Sequence, residues 1–89
     1  MAKLVFDEEF LREWSDVSSH RTSQRIDDML ELIAAFPGVG SSIMPKSVRL
    51  AYGSNVLKVL VNPYQIIYEY DTINDIVYVY GLLYSPSVL

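Results

Sequence analysis

The hydrophobic pattern at the start of the chain predicts a short strand followed by a helix. Lys3–Phe6 is an apolar run that acidic residues interrupt at once, which is typical of a short strand. Asp7 can then serve as a helix N-cap, because its carboxylate accepts hydrogen bonds from the free amides of the first turn. Apolar residues at helical spacing predict that this helix runs to about Val17. They are Phe10, Leu11, Trp14 and Val17.

A second amphipathic helix is predicted after Ser18-Ser19, where polar residues break the pattern and can cap a new helix. Apolar residues then recur at i, i+3, i+4 and i+7, which places them in one stripe. They are Ile26, Met29, Leu30 and Ile33. Pro37-Gly38 predicts that the helix ends after Phe36. The link between the two helices is so short that they should form a helical hairpin.

The middle of the chain predicts a loop, and the last third predicts a three-stranded antiparallel meander. Residues 38–54 include three glycines and Pro45, and within them Val48–Tyr52 is expected to be extended. Three segments rich in β-branched and aromatic residues follow, separated by two turn signals. The strands are Val56–Val61, Tyr64–Tyr70 and Asp75–Leu83, and the turns are Asn62-Pro63 and Asp71–Asn74.

Strand alternation assigns side chains to the two faces of this sheet. If Asn62-Pro63 is a two-residue loop, Val61 pairs with Tyr64 and Lys58 pairs with Ile67. If, in addition, the second turn has four residues, the expected core face carries Leu57, Val59, Val61, Tyr64, Ile66, Tyr68, Tyr70, Val77, Val79 and Leu83. The opposite face carries Val56, Lys58, Leu60, Gln65, Ile67, Glu69, Tyr78 and Tyr80. A change of one residue in either loop would reverse part of this assignment.

The order of elements predicts an α+β fold in which the helical hairpin packs on one face of an antiparallel sheet. The length of 89 residues predicts a single domain spanning 1–89, and the hydrophobic share of 51% excludes a disordered chain. Because there is no cysteine, the chain has no disulfide and no thiol ligand, and we expect a cytoplasmic protein. No apolar run reaches the roughly 18 residues of a membrane span, so no membrane partner is expected.

The net charge of −4 is concentrated in the helical half of the chain. Residues 1–45 hold four basic and eight acidic side chains, whereas residues 46–89 hold three of each. A protein that grips a phosphate backbone usually has a basic face, so direct binding of DNA is not expected. The acidic helices could suit a basic protein partner, although a solvated helix surface explains the same charges.

Residues 55–71, with the sequence NVLKVLVNPYQIIYEYD, resemble the toxins of the RelE/ParE superfamily. Members of that family often place a basic residue in the first meander strand, followed by a turn, a tyrosine-rich strand and an acidic turn. The segment Phe36-Pro37-Gly38-Val39-Gly40 also resembles the end of the family's second helix. The resemblance covers nearly the whole chain. It implies the fold predicted above and a type II toxin that a cognate antitoxin protein binds.

Departures from the family pattern bear on which toxic activity the resemblance implies. Lys58 stands where the family often has a basic residue, but Gln65 stands where it often has arginine. The segment Gly81–Pro86 lacks the histidine and arginines usual after the last strand. RelE-like members cleave messenger RNA in the ribosome with such residues, whereas ParE-like members act on DNA gyrase without them. The resemblance therefore favours a ParE-like toxin for plasmid stabilisation and growth inhibition, with gyrase ahead of the ribosome as partner.

The residues available for catalysis are few. RNA cleavage requires groups that activate a hydroxyl, stabilise a charged phosphorane and protonate the leaving oxygen. The only candidates are Lys58, Tyr78, Tyr80 and Tyr84. Lys58 could equally have no catalytic role and be a sheet lysine that is solvated or paired with Glu69. This set favours a protein that is not an enzyme, while a RelE-like nuclease and a non-toxic member that retains antitoxin binding remain as alternatives.

Partner binding is the remaining expectation from the sequence. A disordered antitoxin tail could add a strand to a sheet edge and lay a helix into a groove along the two helices. The candidate contact residues are Trp14, Val17, Met29, Lys58, Gln65, Tyr78 and Tyr80. Helical spacing explains the first three equally well as ordinary core. His20 has no companion histidine or cysteine, so we expect no metal, and nothing in the sequence implies a cofactor.

Overall fold

A computed structural model describes residues 1–86 as a four-stranded mixed sheet with helices on both faces. In chain order the elements are β1 (Lys3–Phe6), α1 (Glu8–Ser15), α2 (His20–Ala35), a 3₁₀ turn (Pro37–Val39), α3 (Lys46–Tyr52), β2 (Leu57–Val61), β3 (Tyr64–Asp71) and β4 (Ile76–Tyr84). The strand order is β1-β4-β3-β2. The α+β class, the hairpin and the meander are therefore confirmed. Within residues 1–86 no helix combines the length and apolarity that crossing a membrane requires.

The helical hairpin begins and ends at residues whose capping chemistry the sequence displays. The Asp7 carboxylate accepts a hydrogen bond from the Glu9 amide at 3.0 Å, and the Ser19 hydroxyl accepts one from the Thr22 amide at 3.2 Å. Helix α1 ends at Ser15, two residues earlier than predicted, and Val17 turns back to donate to the Trp14 carbonyl at 3.1 Å. Helices commonly fray within this margin at their ends.

The main core lies between the hairpin and one face of the sheet. Helix α2 contributes the predicted stripe, with Ile26, Leu30 and Ile33 buried and Met29 half-buried. Phe10 of α1 is fully buried, and its ring centroid lies 5.7 Å from those of Phe6 and Trp14. The sheet contributes residues from the predicted core face: Val61, Ile66, Tyr68, Val77 and Val79 are buried, and Leu57, Val59, Tyr64 and Tyr70 are partly buried.

Strand β1 joins the sheet in parallel with β4, an arrangement that the sequence did not define. Lys3 pairs with Ile76 and Phe6 with Val79. The loop between β2 and β3 has the predicted two residues, and the predicted pairs Val61–Tyr64 and Lys58–Ile67 are confirmed. The sheet is thus an antiparallel meander with one parallel strand at its edge.

The prediction that Val48–Tyr52 is extended is wrong, because residues 46–52 form α3. Pro45 occupies the N-cap position, and Gly53 adopts a φ of 102° as the helix ends. Val48 and Tyr52 are four residues apart and therefore share one side of the helix. They pack with Met44, Val56, Ile67, Tyr80 and Leu83 in a second, smaller cluster. Helix α3 thus covers the face of the sheet that lies opposite the hairpin.

The prediction that Leu83 lies in the main core is also wrong. The register between β3 and β4 shifts at a β-bulge, because Tyr68 pairs with Val79 and Ile67 pairs with Gly81, so that Tyr80 is the extra residue. A bulge reverses the facing of every later side chain in the strand. Leu82 therefore joins the main core, and Leu83 packs in the second cluster.

Candidate functional surface

The sheet face opposite the hairpin gathers four of the eight residues proposed from the sequence as catalytic or partner-binding. Lys58, Gln65 and Tyr78 occupy positions of this face, because their partners are Ile67, Leu83 and Glu69. Helix α3 covers the middle of the face, so the remaining surface divides into two ends. We call them the lysine end, with Lys58 and Gln65, and the tyrosine end, with Tyr78 and Tyr80.

Lys58 at the lysine end is half-buried, and its backbone pairs with Ser41 through two hydrogen bonds of 2.9 Å. The pairing with Glu69 considered from the sequence is not observed, since Glu69 instead accepts a hydrogen bond from the Tyr80 hydroxyl at 3.2 Å. The Gln65 amide donates to the Ser85 hydroxyl at 3.3 Å. Of the two residues that define this end, Lys58 is the one that offers a cation to a phosphate.

Tyr84 does not lie with the other three catalytic candidates. Because of the bulge, it pairs with Tyr64 and faces the hairpin side of the sheet. Its ring meets that of Tyr64 edge-on, with centroids 5.6 Å apart, and its side chain remains 67% exposed. Tyr84 therefore cannot act on the same bound group as Lys58 without a rearrangement of the strand end.

The tyrosine end contains a cleft of about 360 Å³ between the start of α1 and the end of α3. Its lining residues are Asp7, Glu9, Ala51, Tyr52 and Tyr80. The two tyrosine rings stack with centroids 6.5 Å apart and an interplanar angle of 13°. We call this feature the tyrosine cleft.

The electrostatic environment of the tyrosine cleft is negative. Burial raises the pKa of Tyr52 above its ordinary value, and the carboxylates of Glu13, Glu9 and Asp7 raise it further. Burial also raises the pKa of Tyr80, with the Glu69 carboxylate as the next cause. Both shifts favour the neutral phenol, because a phenolate would be poorly hydrated and close to other negative charges. Neither tyrosine is thus prepared to act as a base near neutral pH.

The apolar partner-binding candidates lie on the hairpin. Trp14 and Val17 are half-buried against the main core, and the Trp14 indole donates to the Ser23 hydroxyl at 3.0 Å. Met29 contacts the core and also lines a groove of about 280 Å³ between α2 and β2. The full lining of this hairpin groove is Arg25, Asp28, Met29, Leu32, Leu60 and Val61. Trp14 and Val17 are not part of that lining.

Metal ligands are not gathered anywhere in residues 1–86, where no three His, Asp or Glu side chains are placed to hold an ion. His20 is the first residue of α2 and is exposed. The structure thus offers no candidate site that would place His20 in a metal centre.

The architecture has clear counterparts among solved structures. The isolated RelE toxin of E. coli superposes with a TM-score of 0.74 at 17% identity, over 99% of this chain and 88% of that one. The E. coli RelBE toxin–antitoxin complex gives 0.70 at 16% identity over the whole of both chains. The YoeB/ParE toxin of Agrobacterium tumefaciens gives 0.70 at 11% identity, over 92% and 96%. The chain has the RelE/ParE toxin fold. No protein-family model and no curated protein matches the sequence.

Within this RelE/ParE fold, the surface has two features that the sequence did not predict. One is the tyrosine cleft, whose residues come from three separate parts of the chain. The other is the contribution of Leu32 and Leu60 to the hairpin groove, where they are 40% and 60% exposed. A helical interpretation of residues 46–52 would have drawn attention to Tyr52, since Val48 and Tyr52 have helical spacing.

Proposed function

We propose that the chain is the toxin of a type II toxin–antitoxin pair. The observation that carries the proposal is the superposition with RelE toxin along nearly the whole chain. The resemblance of residues 55–71 to the same superfamily supports it independently. A RelE/ParE fold alone does not define an activity, so the surface has to be considered as well.

The surface favours the ParE-like branch, in which DNA gyrase is the target. The tyrosine cleft presents carboxylates, and Gly81–Pro86 contains neither arginine nor histidine. Phosphoryl chemistry on RNA usually relies on guanidinium or imidazolium groups, which stabilise the developing negative charge. A toxin that binds another protein needs no such set. Plasmid stabilisation in the cytoplasm is the corresponding biological role.

Expression in a bacterial host without any antitoxin tests the toxin proposal. We expect growth to stop after induction and to resume when the cognate antitoxin is co-expressed. Accumulation of folded protein at an unchanged growth rate would contradict toxicity and would favour the alternative hypothesis, a non-toxic member that retains antitoxin binding. Folding is checked by circular dichroism on the purified protein.

The second candidate function is a RelE-like ribosome-dependent nuclease. The observation in its favour is that Lys58 and Tyr78 share one sheet face. Mapping of messenger cleavage in a cell-free translation reaction separates the two branches, and we expect no cleavage. Cleavage that Lys58→Ala abolishes, but that Lys46→Ala at an exposed position of α3 preserves, would establish the nuclease instead.

We further propose that the antitoxin tail binds the hairpin groove and the adjacent edge of β2. The Lys58 backbone forms its hydrogen bonds with Ser41, on the edge of β2 that faces away from β3. Leu60 is two residues further along the strand, so its N–H and C=O point to the same edge. Met29 and Leu32 provide an apolar wall beside that edge. An extended segment could therefore gain main-chain hydrogen bonds and apolar contacts together.

Adding the antitoxin tail should raise the melting temperature markedly, because a ligand that binds only the folded state stabilises it. Leu32→Glu should abolish most of this rise by placing a charge in the groove. Leu50→Glu is the control, since Leu50 lies on α3 and is already 77% exposed. Amide exchange should slow along β2 and α2. Protection confined to the face of Lys58, Gln65 and Tyr78 would show that this docking model is wrong.

A further inference from the structure

The tyrosine cleft combines two properties, of which the toxin proposal uses only the negative charge. It has an aromatic wall, formed by the stacked rings of Tyr52 and Tyr80. It also has an acidic rim, formed by Asp7 and Glu9. The same half-open cavity therefore offers apolar contact and negative charge to one incoming group.

The aromatic wall is held in place by specific contacts. A Cβ atom at Gly81 would lie 2.6 Å from the Tyr52 hydroxyl oxygen, so the bare glycine backbone makes room for that ring. The Tyr80 hydroxyl donates to the Glu69 carboxylate at 3.2 Å. Both rings also pack in the second cluster, beside Val48 and Leu83. Such a wall is organised before any partner arrives, which reduces the entropy lost on binding.

The charge of the rim selects the sign of the partner. Asp7 and Glu9 line the cleft, and Glu13 and Glu69 are close enough to affect the tyrosines. A nucleic-acid phosphate would be repelled by this set, whereas a cation would be attracted. Glu9 already contacts the Arg12 guanidinium at 2.6 Å on the exposed surface of α1, so an incoming cation would share or displace that partner.

We propose that the tyrosine cleft receives an arginine or lysine side chain from a basic segment of a protein partner. A guanidinium fits such a site well, since its plane stacks on aromatic rings while its N–H groups donate to carboxylates. The cleft is separate from the hairpin groove, and the binding of a basic segment does not require the chain to be toxic. Failure of the growth test would therefore leave this inference standing.

A fluorescently labelled hexa-arginine peptide is the probe for this site. We expect saturable binding to the full chain in low salt, measured by anisotropy, with amide shifts in NMR spectra at Glu9, Ala51 and Tyr80. The double variant Asp7→Asn/Glu9→Gln should weaken binding about tenfold or more, because it removes two charge-assisted partners. Asparagine still caps α1, so this variant is expected to fold.

The matched control is Asp27→Asn/Glu31→Gln, which removes the same charge from exposed positions of α2. It should weaken binding by less than about threefold, the scale of exposed charge effects. Tyr52→Phe should bind like the parent, and Tyr52→Leu should bind about fivefold more weakly through loss of the ring. Equal losses in the two double variants would overturn the proposal in favour of general charge attraction. Saturable binding of a labelled single-stranded RNA hexamer, measured without the peptide and weakened by Tyr52→Leu, would overturn it too.

Discussion

Phe10→Ala is expected to lower the free energy of unfolding by about 3–5 kcal/mol, because it removes a fully buried ring. The ring stacks on Phe6 with centroids 5.7 Å apart and lies as close to Trp14. Its loss leaves a cavity between α1 and the parallel edge of the sheet. A domain of this size has a total stability of about 5–15 kcal/mol, so the variant should approach unfolding at 37 °C. Urea denaturation followed by circular dichroism provides the measurement.

Leu11→Ala is the control for Phe10→Ala, one residue further along the same helix. Leu11 is 45% exposed, and leucine and alanine have similar helix propensities. We expect a change well below that of Phe10→Ala. Comparable losses at the two positions would mean that α1 does not bury Phe10 as described.

Gly40→Ala is expected to destabilise the protein by about 2–4 kcal/mol through a steric clash and a broken hydrogen bond. The added Cβ would lie 2.6 Å from the Tyr68 hydroxyl oxygen, 2.9 Å from the Leu57 Cβ and 3.0 Å from the Lys58 carbonyl oxygen. Tyr68 is fully buried, and its hydroxyl accepts from the Gly40 amide at 2.9 Å while donating to the Pro37 carbonyl at 2.7 Å. It therefore has little freedom to move aside. Thermal unfolding should show the loss at about 4–8 °C per kcal/mol.

Gly38→Ala makes the same chemical change two residues earlier and should alter stability by no more than about 0.5 kcal/mol. No atom outside the neighbouring residues lies within 4 Å of a Cβ added at Gly38. Equal stability of the Gly40→Ala and Gly38→Ala variants would contradict this expectation. It would mean that the loop does not lie as close to the sheet as the hydrogen bond from the Gly40 amide to the Tyr68 hydroxyl requires.

The parts of the fold that were predicted correctly depend on short stretches of sequence. The two-residue loop at Asn62-Pro63 determines the β2–β3 register, and the caps at Asp7 and Ser19 mark the starts of both long helices. Periodicity identified the buried side of α2, including Ile26 and Leu30. In each case, residues within a few positions of one another determine the structure.

The features that were missed depend on contacts between distant residues. Helix α3 lies in a segment rich in glycine, serine and proline, and its apolar side is stabilised by packing on Ile67 and Leu83. Tertiary packing of this kind overrides local propensity. The bulge at Tyr80 has one local signal, Gly81 inside the strand, but a glycine there does not specify which residue is the extra one. The bulge exchanges the facing of Leu82 and Leu83.

The candidate surface was predictable in part for the same reasons. Lys58, Gln65 and Tyr78 were assigned to one face by alternation before the bulge, and that placement is confirmed. The tyrosine cleft could not be derived in this way, because it joins the start of α1 to the end of α3 and to β4. The cleft is acidic because the start of α1, which carries Asp7 and Glu9, lies beside Tyr80.

The parallel pairing of β1 with β4 has a consequence for folding during synthesis. Lys3 pairs with Ile76, which is 73 residues further along the chain. At about 5–20 residues per second, the first strand waits roughly 4–15 s for its partner to be translated. During that interval the apolar stripe of α2 and the Phe10 ring have no sheet to cover them. The nascent chain is then open to capture by chaperones, and any protein that acts on the finished fold must wait until β4 has left the ribosome.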